Sequence, residues 1–139
     1  MDRNLQILGL SKKAGLLAVG GADTEAAGKM RKAKVVISAN DASESALNRA
    51  KKSADACRAV HLEVPYSSFE LGAVCGRGSP STVAILDTGF AAKFVNGLAI
   101  VDPMKYFQAA ESLTIKDEAL KRRKATDANA STNAKRRTV

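Results

Sequence analysis

Between residues 12 and 34 the chain carries Lys12 and Lys13, the pair Gly20-Gly21, and then Lys29, Arg31, Lys32 and Lys34. Adjacent glycines permit backbone angles closed to other residues, so Leu16 to Val19 followed by this pair reads as a stub of strand entering a tight turn. Ala26, Ala27 and Met30 then recur at helical spacing, and Asp23 is placed to cap the exposed amides, which predicts a helix over Asp23 to Lys32. The start of a helix presents unpaired N–H groups and the positive end of its dipole, so it favours an anion or an acceptor-rich partner. Gly20, Gly21, Ala22, Asp23 and Thr24, with the six cations around them, therefore make a candidate phosphate-facing surface. The plainer reading is a solvated basic face beside a turn. Two further loops are candidates on the same grounds of placement: Asn40 to Ser43, and Arg77 to Ser81 with Gly78 and Ser79 inside it.

Other chemistries find little to work with. Gly20-Gly21 is not G-x-G-x-x-G, and Gly76-Arg77-Gly78-Ser79 lacks the lysine of a P-loop, so no nucleotide cofactor is expected. His61 is the only histidine, and Cys57 and Cys75 are the only cysteines and lack C-x-x-C spacing, so neither a metal site nor a redox dithiol is expected. Asp41, Glu44, Glu63, Glu70 and Asp87 are each accounted for by a helix cap or an exposed strand position, and no base is offered to Cys75 as a nucleophile. The expectation is a protein that is not an enzyme and needs no cofactor.

Charge points towards a polyanion. The 139 residues hold 22 Lys plus Arg against 14 Asp plus Glu, a net of +8. Residues 114–139 hold eight of the basic and three of the acidic side chains, so the tail carries +5 and the remainder, fourteen against eleven, +3. Aromatic residues are only 4% of the chain, with no tryptophan, and Phe69, Phe90 and Phe94 fall on helical faces expected to be core. Base stacking is thus poorly provided for, and a structured RNA met by a loop and by cations is the better match.

The elements that must hold these residues alternate. Helices are expected over Asn4 to Ala14, from Asp41 and Glu44 at capping-box spacing through Cys57, from Ser67 and Glu70 to Cys75, from Asp87 or Thr88 through Leu98, and from Asp102-Pro103 to about Leu113. Between them, Lys34 to Ala39 and Thr82 to Leu86 are β-branched runs suited to central strands, and Ala59 to Val64 alternates as a half-buried strand with His61 on the wetter side. Helices and strands that alternate at these lengths imply an α/β/α sandwich with helices on both faces of a parallel or mixed sheet. One domain over residues 1–113 is expected, followed by a basic, disordered tail over 114–139 with helical character around KDEALKRRK, where ATDANASTNA cannot bury enough surface to offset the entropy of ordering it. No run approaches the ~20 apolar residues of a membrane span, and no basic-then-apolar leader opens the chain, so a cytoplasmic protein is expected, without a membrane partner and monomeric in isolation.

Four segments in order, LGLSKKAGLLAVG, KAKVVISANDAS, VPYSSFELGAVCGR and VAILDTGFAAKF, resemble the kink-turn-binding ribosomal-protein family, which includes the proteins called L-seven-Ae and L-thirty-e and the bacterial YlxQ-type proteins. The YlxQ-type proteins are the nearest in pattern, and the resemblance spans about residues 4 to 98. It implies a three-layer α/β/α sandwich around a small mixed sheet and binding of sharply bent RNA with tandem sheared G·A pairs, in ribosomal or other translation-associated RNA. The family's G-x-N-E reading turn is similar to Gly20-Gly21-Ala22-Asp23 or, one residue later, Gly21-Ala22-Asp23-Thr24, and the second register keeps a polar residue at both reading positions. Its second contact loop is similar to Arg77 to Ser81. Lys29, Arg31, Lys32 and Lys34 would then contact phosphates without reading sequence. The growth-arrest branch of the same superfamily implies an alternative, an adaptor for proteins.

Overall fold

The computed structural model describes residues 2–76 and 78–137, with side chains to residue 126. Four strands, β1 (Leu17–Val19), β2 (Val35–Ser38), β3 (Val60–Glu63) and β4 (Thr82–Ile85), form one sheet in the order β1-β4-β2-β3. Strand β4 runs antiparallel to both β1 and β2, while β2 and β3 are parallel. The two central strands are the β-branched runs VVIS and TVAI, and every residue of both is buried, as strands covered on both faces require.

Six helices cover the sheet: α1 (Arg3–Lys13), α2 (Gly21–Lys29), α3 (Glu44–Cys57), α4 (Ser68–Cys75), α5 (Thr88–Val101) and α6 (Pro103–Arg137). On one face Leu5, Leu8, Leu71, Phe94, Leu98 and Tyr106 pack over Val35, Ile37, Val83 and Ile85 to form the larger core. On the other, α2 and α3 meet Ala18, Val36 and Ala84 through Ala27, Ala50 and Ala54. The result is a three-layer α/β/α sandwich around a small mixed sheet. The small residues of the second layer let α2 and α3 approach closely, and a Cβ on Gly28 would lie 3.1 Å from the backbone of Ser53. That contact explains a glycine inside a helix, where it costs up to ~1 kcal/mol relative to alanine.

Local chemistry sets the helix ends, with corrections to three expectations. Asp2, Ser67 and Asp87 cap α1, α4 and α5, and Ser67 with Glu70 forms a complete capping box. Helix α3, however, is capped by Ser43, which accepts from the amide of Ala46 at 3.1 Å. Asp41 instead accepts from the amide and hydroxyl of Ser68, both at 2.9 Å, and the Ser68 amide holds its carboxyl below the usual carboxylate range. Helix α2 begins at Gly20, an N-cap with φ 92° and no side-chain cap, so Asp23 sits inside the first turn. The same helix ends at Lys29, and Arg31 takes φ 55°, which leaves Arg31 and Lys32 beyond it. Arg58, after α3, has φ 53°. A left-handed backbone costs a non-glycine residue roughly 1–2 kcal/mol.

Residues 114–137, expected to be a tail without fixed structure, lie in α6. Leu113 is buried, and Thr114 accepts a hydrogen bond from Asn96 Nδ2 of α5 at 2.9 Å. A helix already nucleated against a core extends at little cost through good helix formers such as KDEALKRRK, the stretch of the tail expected to have helical character. Among the described residues no helix is long and apolar enough to cross a membrane.

Candidate functional site

The glycine turn lies at one end of the sheet. The Gly20 amide donates to Thr82 O at 2.8 Å, at the start of β4, the Ala39 amide to Ser81 O at 2.9 Å, and the Asn40 amide to Tyr66 O at 2.9 Å. Four loop starts are thereby tied side by side: the α2 turn, the segment through Gly78 and Ser79, the approach to α3, and the approach to α4. The positive φ of Gly20 requires glycine, and with no capping side chain the amides at the start of α2 have their positive dipole end towards solvent. Gly21, Ala22, Asp23, Gly78 and Ser79 are exposed here, while Arg77 lies outside the described residues.

Thr24 does not belong to this surface. It is 1% exposed, its amide donates to Gly20 O at 3.0 Å, and its buried Oγ1 finds no partner among the described residues. Burial of Thr24 rules against the register that puts it at a reading position, whereas in Gly20-Gly21-Ala22-Asp23 the last two residues are exposed.

The cations assigned to this turn do not ring it. Lys12 donates through Nζ to Cys75 O, closing the end of α4, and with Lys13 and Gly76 it lines a shallow depression where the Gly78–Ser79 segment begins. Lys29 sits at the far end of α2, against Arg49 and Lys52 of α3. The Lys34 amide donates to Ile85 O at 2.8 Å, at the end of β4, so Lys34 stands at the opposite end of the strand from Gly20. Nine helical residues at 1.5 Å rise put about 13 Å between the turn and the residues after α2. Arg31 and Lys34 instead share a cleft with Arg58, Lys116 and Arg123. The single seat expected from sequence adjacency is thus two surfaces at the two ends of the sheet.

Residues that sequence reasoning missed come from packing. Arg49, Lys52, Arg58 and Arg123 join the cationic groups only through the folding of α3 and α6. Arg58 alone left a local signal, because it occupies the position after a helix where glycine is usual. Phe69, expected in the core, is 75% exposed on the first turn of α4.

The surroundings of His61 and Cys75 shift both side chains from their ordinary titration. Ser38 Oγ lies 2.7 Å from His61 Nε2, and burial, helped by Lys51, pushes the imidazole pKa down, so His61 is neutral at pH 7. Burial pushes the Cys75 thiol up, against the opposing charge of Lys12, which keeps it from being a ready nucleophile. No group of three or more His, Cys, Asp or Glu side chains able to hold a metal occurs among the described residues.

No protein-family model matches the chain, and no curated protein matches its sequence. Among solved structures the fold is similar to that of a Bacillus halodurans C protein of unknown function, at 21% identity and a TM-score of 0.62, over 70% of this chain and 97% of the other. It is also similar to the Giardia lamblia 15.5kD RNA binding protein, at 18% identity and a TM-score of 0.50, over 78% of this chain and 85% of that one. At these identities what is shared is the fold, and one bearer of that fold binds RNA.

Proposed function

We propose that the chain is a non-catalytic binder of structured RNA, of the kink-turn type found in ribosomal and other translation-associated RNA. The observation that carries this reading is the meeting at one sheet end of a glycine turn whose N-cap, Gly20, has no side chain and the segment through the exposed Gly78 and Ser79. RNA binding by the Giardia protein on a similar fold supports it, as do the ordered segments that resemble the kink-turn-binding family. The amides of Gly21 and Ala22 would meet acceptors on the RNA, Asp23 would accept from base edges, and Arg77, Gly78 and Ser79 would lie along the adjoining backbone. Ala22 stands where the family's turn carries asparagine, and each lost base-edge contact removes about 1–3 kcal/mol of discrimination. Discrimination is thus expected to be weaker than affinity.

The test is titration of the whole protein with a hairpin containing tandem G·A pairs and with a straight duplex of equal length, over a range of salt. Tighter binding to the bent hairpin supports the reading. Equal affinity for the two leaves only generic RNA binding, and no binding to either overturns it in favour of the protein-adaptor alternative. That alternative has less behind it, since a net charge of +8 favours a polyanion.

A further inference from the structure

The cleft at the opposite end of the sheet is lined by Arg31, Lys34, Arg58, Lys116 and Arg123, encloses about 350 Å³, and has no carboxylate in its wall. The buried Ala33 and Leu113 line it as well, beside the exposed Ala119. None of the five makes an ion pair among the described residues, and the nearby Asp117 is already paired with Lys121 at 3.1 Å. Five like charges drawn from α6, from the start of β2 and from the turns after α2 and α3 repel one another unless an anion sits among them.

The backbone adds an independent observation. Arg31 and Arg58 are the two described non-glycine residues with positive φ, at 55° and 53°. Both are arginines, both follow helices where glycine would be unstrained, and both line this one cleft. Strain kept twice at one place, with the same side chain, points to a use for that side chain.

We propose that this cleft is a second RNA-binding site, which holds the phosphodiester backbone of a helical arm whose bent portion occupies the glycine turn; it rests on the reading of the protein as an RNA binder. A strand of nucleic acid fits better than a small phosphate compound because the charge does not end at the cleft. Lys29, Arg49 and Lys52, three cations against the one carboxylate of Glu25, line a groove formed by α2 and α3, and the exposed Arg122 and Lys124 continue the charge along α6. No aromatic side chain lines the cleft, so it offers backbone contact without base stacking. The two ends would then act together: the turn selects the bent motif, and the cleft adds affinity that grows with the length of the arm.

The test compares the full chain with the R31G/R58G variant, on a tandem-G·A hairpin with a long helical arm and on the same hairpin with the arm cut short. Glycine relieves both left-handed turns, so the variant's melting temperature is expected to be equal or higher, and a weaker complex cannot be put down to unfolding. The expected result is a log-affinity against log-salt slope shallower by about 1.8 on the long-arm hairpin, from two lost phosphate contacts, with short-arm binding unchanged. Unchanged binding of both hairpins by the variant overturns the second site while leaving the glycine-turn reading intact. Wild-type binding to neither hairpin overturns both. Displacement of the long arm by tripolyphosphate at concentrations equal to those of RNA phosphate would assign the cleft to a small polyanion and overturn the assignment to backbone.

Discussion

Gly97 is where the packing of α1 against α5 is least forgiving, and Gly97→Ala should destabilise the fold in a way that depends on one neighbour. A Cβ at Gly97 would lie 1.9 Å from Oδ1 of Asn4 and 2.7 Å from its Nδ2. Asn4 is 8% exposed and donates through Nδ2 to Phe94 O at 3.2 Å, so it cannot turn aside without losing a buried hydrogen bond. Overpacking of this kind costs about 1–3 kcal/mol and the lost hydrogen bond about 1 kcal/mol, against a helix-propensity gain of about 1 kcal/mol for alanine over glycine. The net expectation is a loss of ~1–3 kcal/mol. With Asn4→Ala already in place the obstacle is gone, and the same Gly97→Ala change should be neutral or stabilising by up to ~1 kcal/mol. Urea melts of the wild type, both single variants and the double variant give the coupling directly. If Gly97→Ala costs the same with and without Asn4, the contact between α1 and α5 is not what makes glycine necessary there.

Thr24→Val replaces a buried hydroxyl, without a partner among the described residues, by a methyl group of the same shape, and should raise stability by up to ~1 kcal/mol with no change in RNA affinity; a drop in affinity would return Thr24 to the binding surface. His61 has its pKa depressed below 6.5 by burial, so the unfolded chain takes up the proton first, and stability should decline as pH falls from 6.5 towards the folded-state value. His61→Phe should remove that acid-side loss, as read from urea midpoints across the range. Ending the chain after residue 113 removes the Thr114 hydrogen bond and the helix that covers Leu113, and should cost ~1–2 kcal/mol, or roughly 3–8 °C in a thermal melt. An unchanged melting temperature would mean that residues 114–139 contribute nothing to the fold.

What the sequence determined by itself was local. The β-branched runs at Val35 to Ser38 and Thr82 to Ile85, the capping box at Ser67 and Glu70, and the helix opening at Pro103 each rest on preferences that act within a few residues, and each holds in the folded chain. Tertiary structure decided everything that depends on which residues become neighbours. Lys29, Arg31, Lys32 and Lys34 follow Gly20 closely in sequence, yet α2 carries them away from it: Lys29 lies beside Arg49 and Lys52, and Arg31 and Lys34 meet Arg58 and Arg123 at the other end of β4. Asp41 caps no helix of its own because the chain turns it towards Ser68, and Thr24 is buried because it sits one residue further round the α2 helix than Asp23. Sequence adjacency measures distance along the chain; a helix converts nine residues into about 13 Å, and a sheet then sorts the ends, so the composition of a charged surface is settled only when the layers pack.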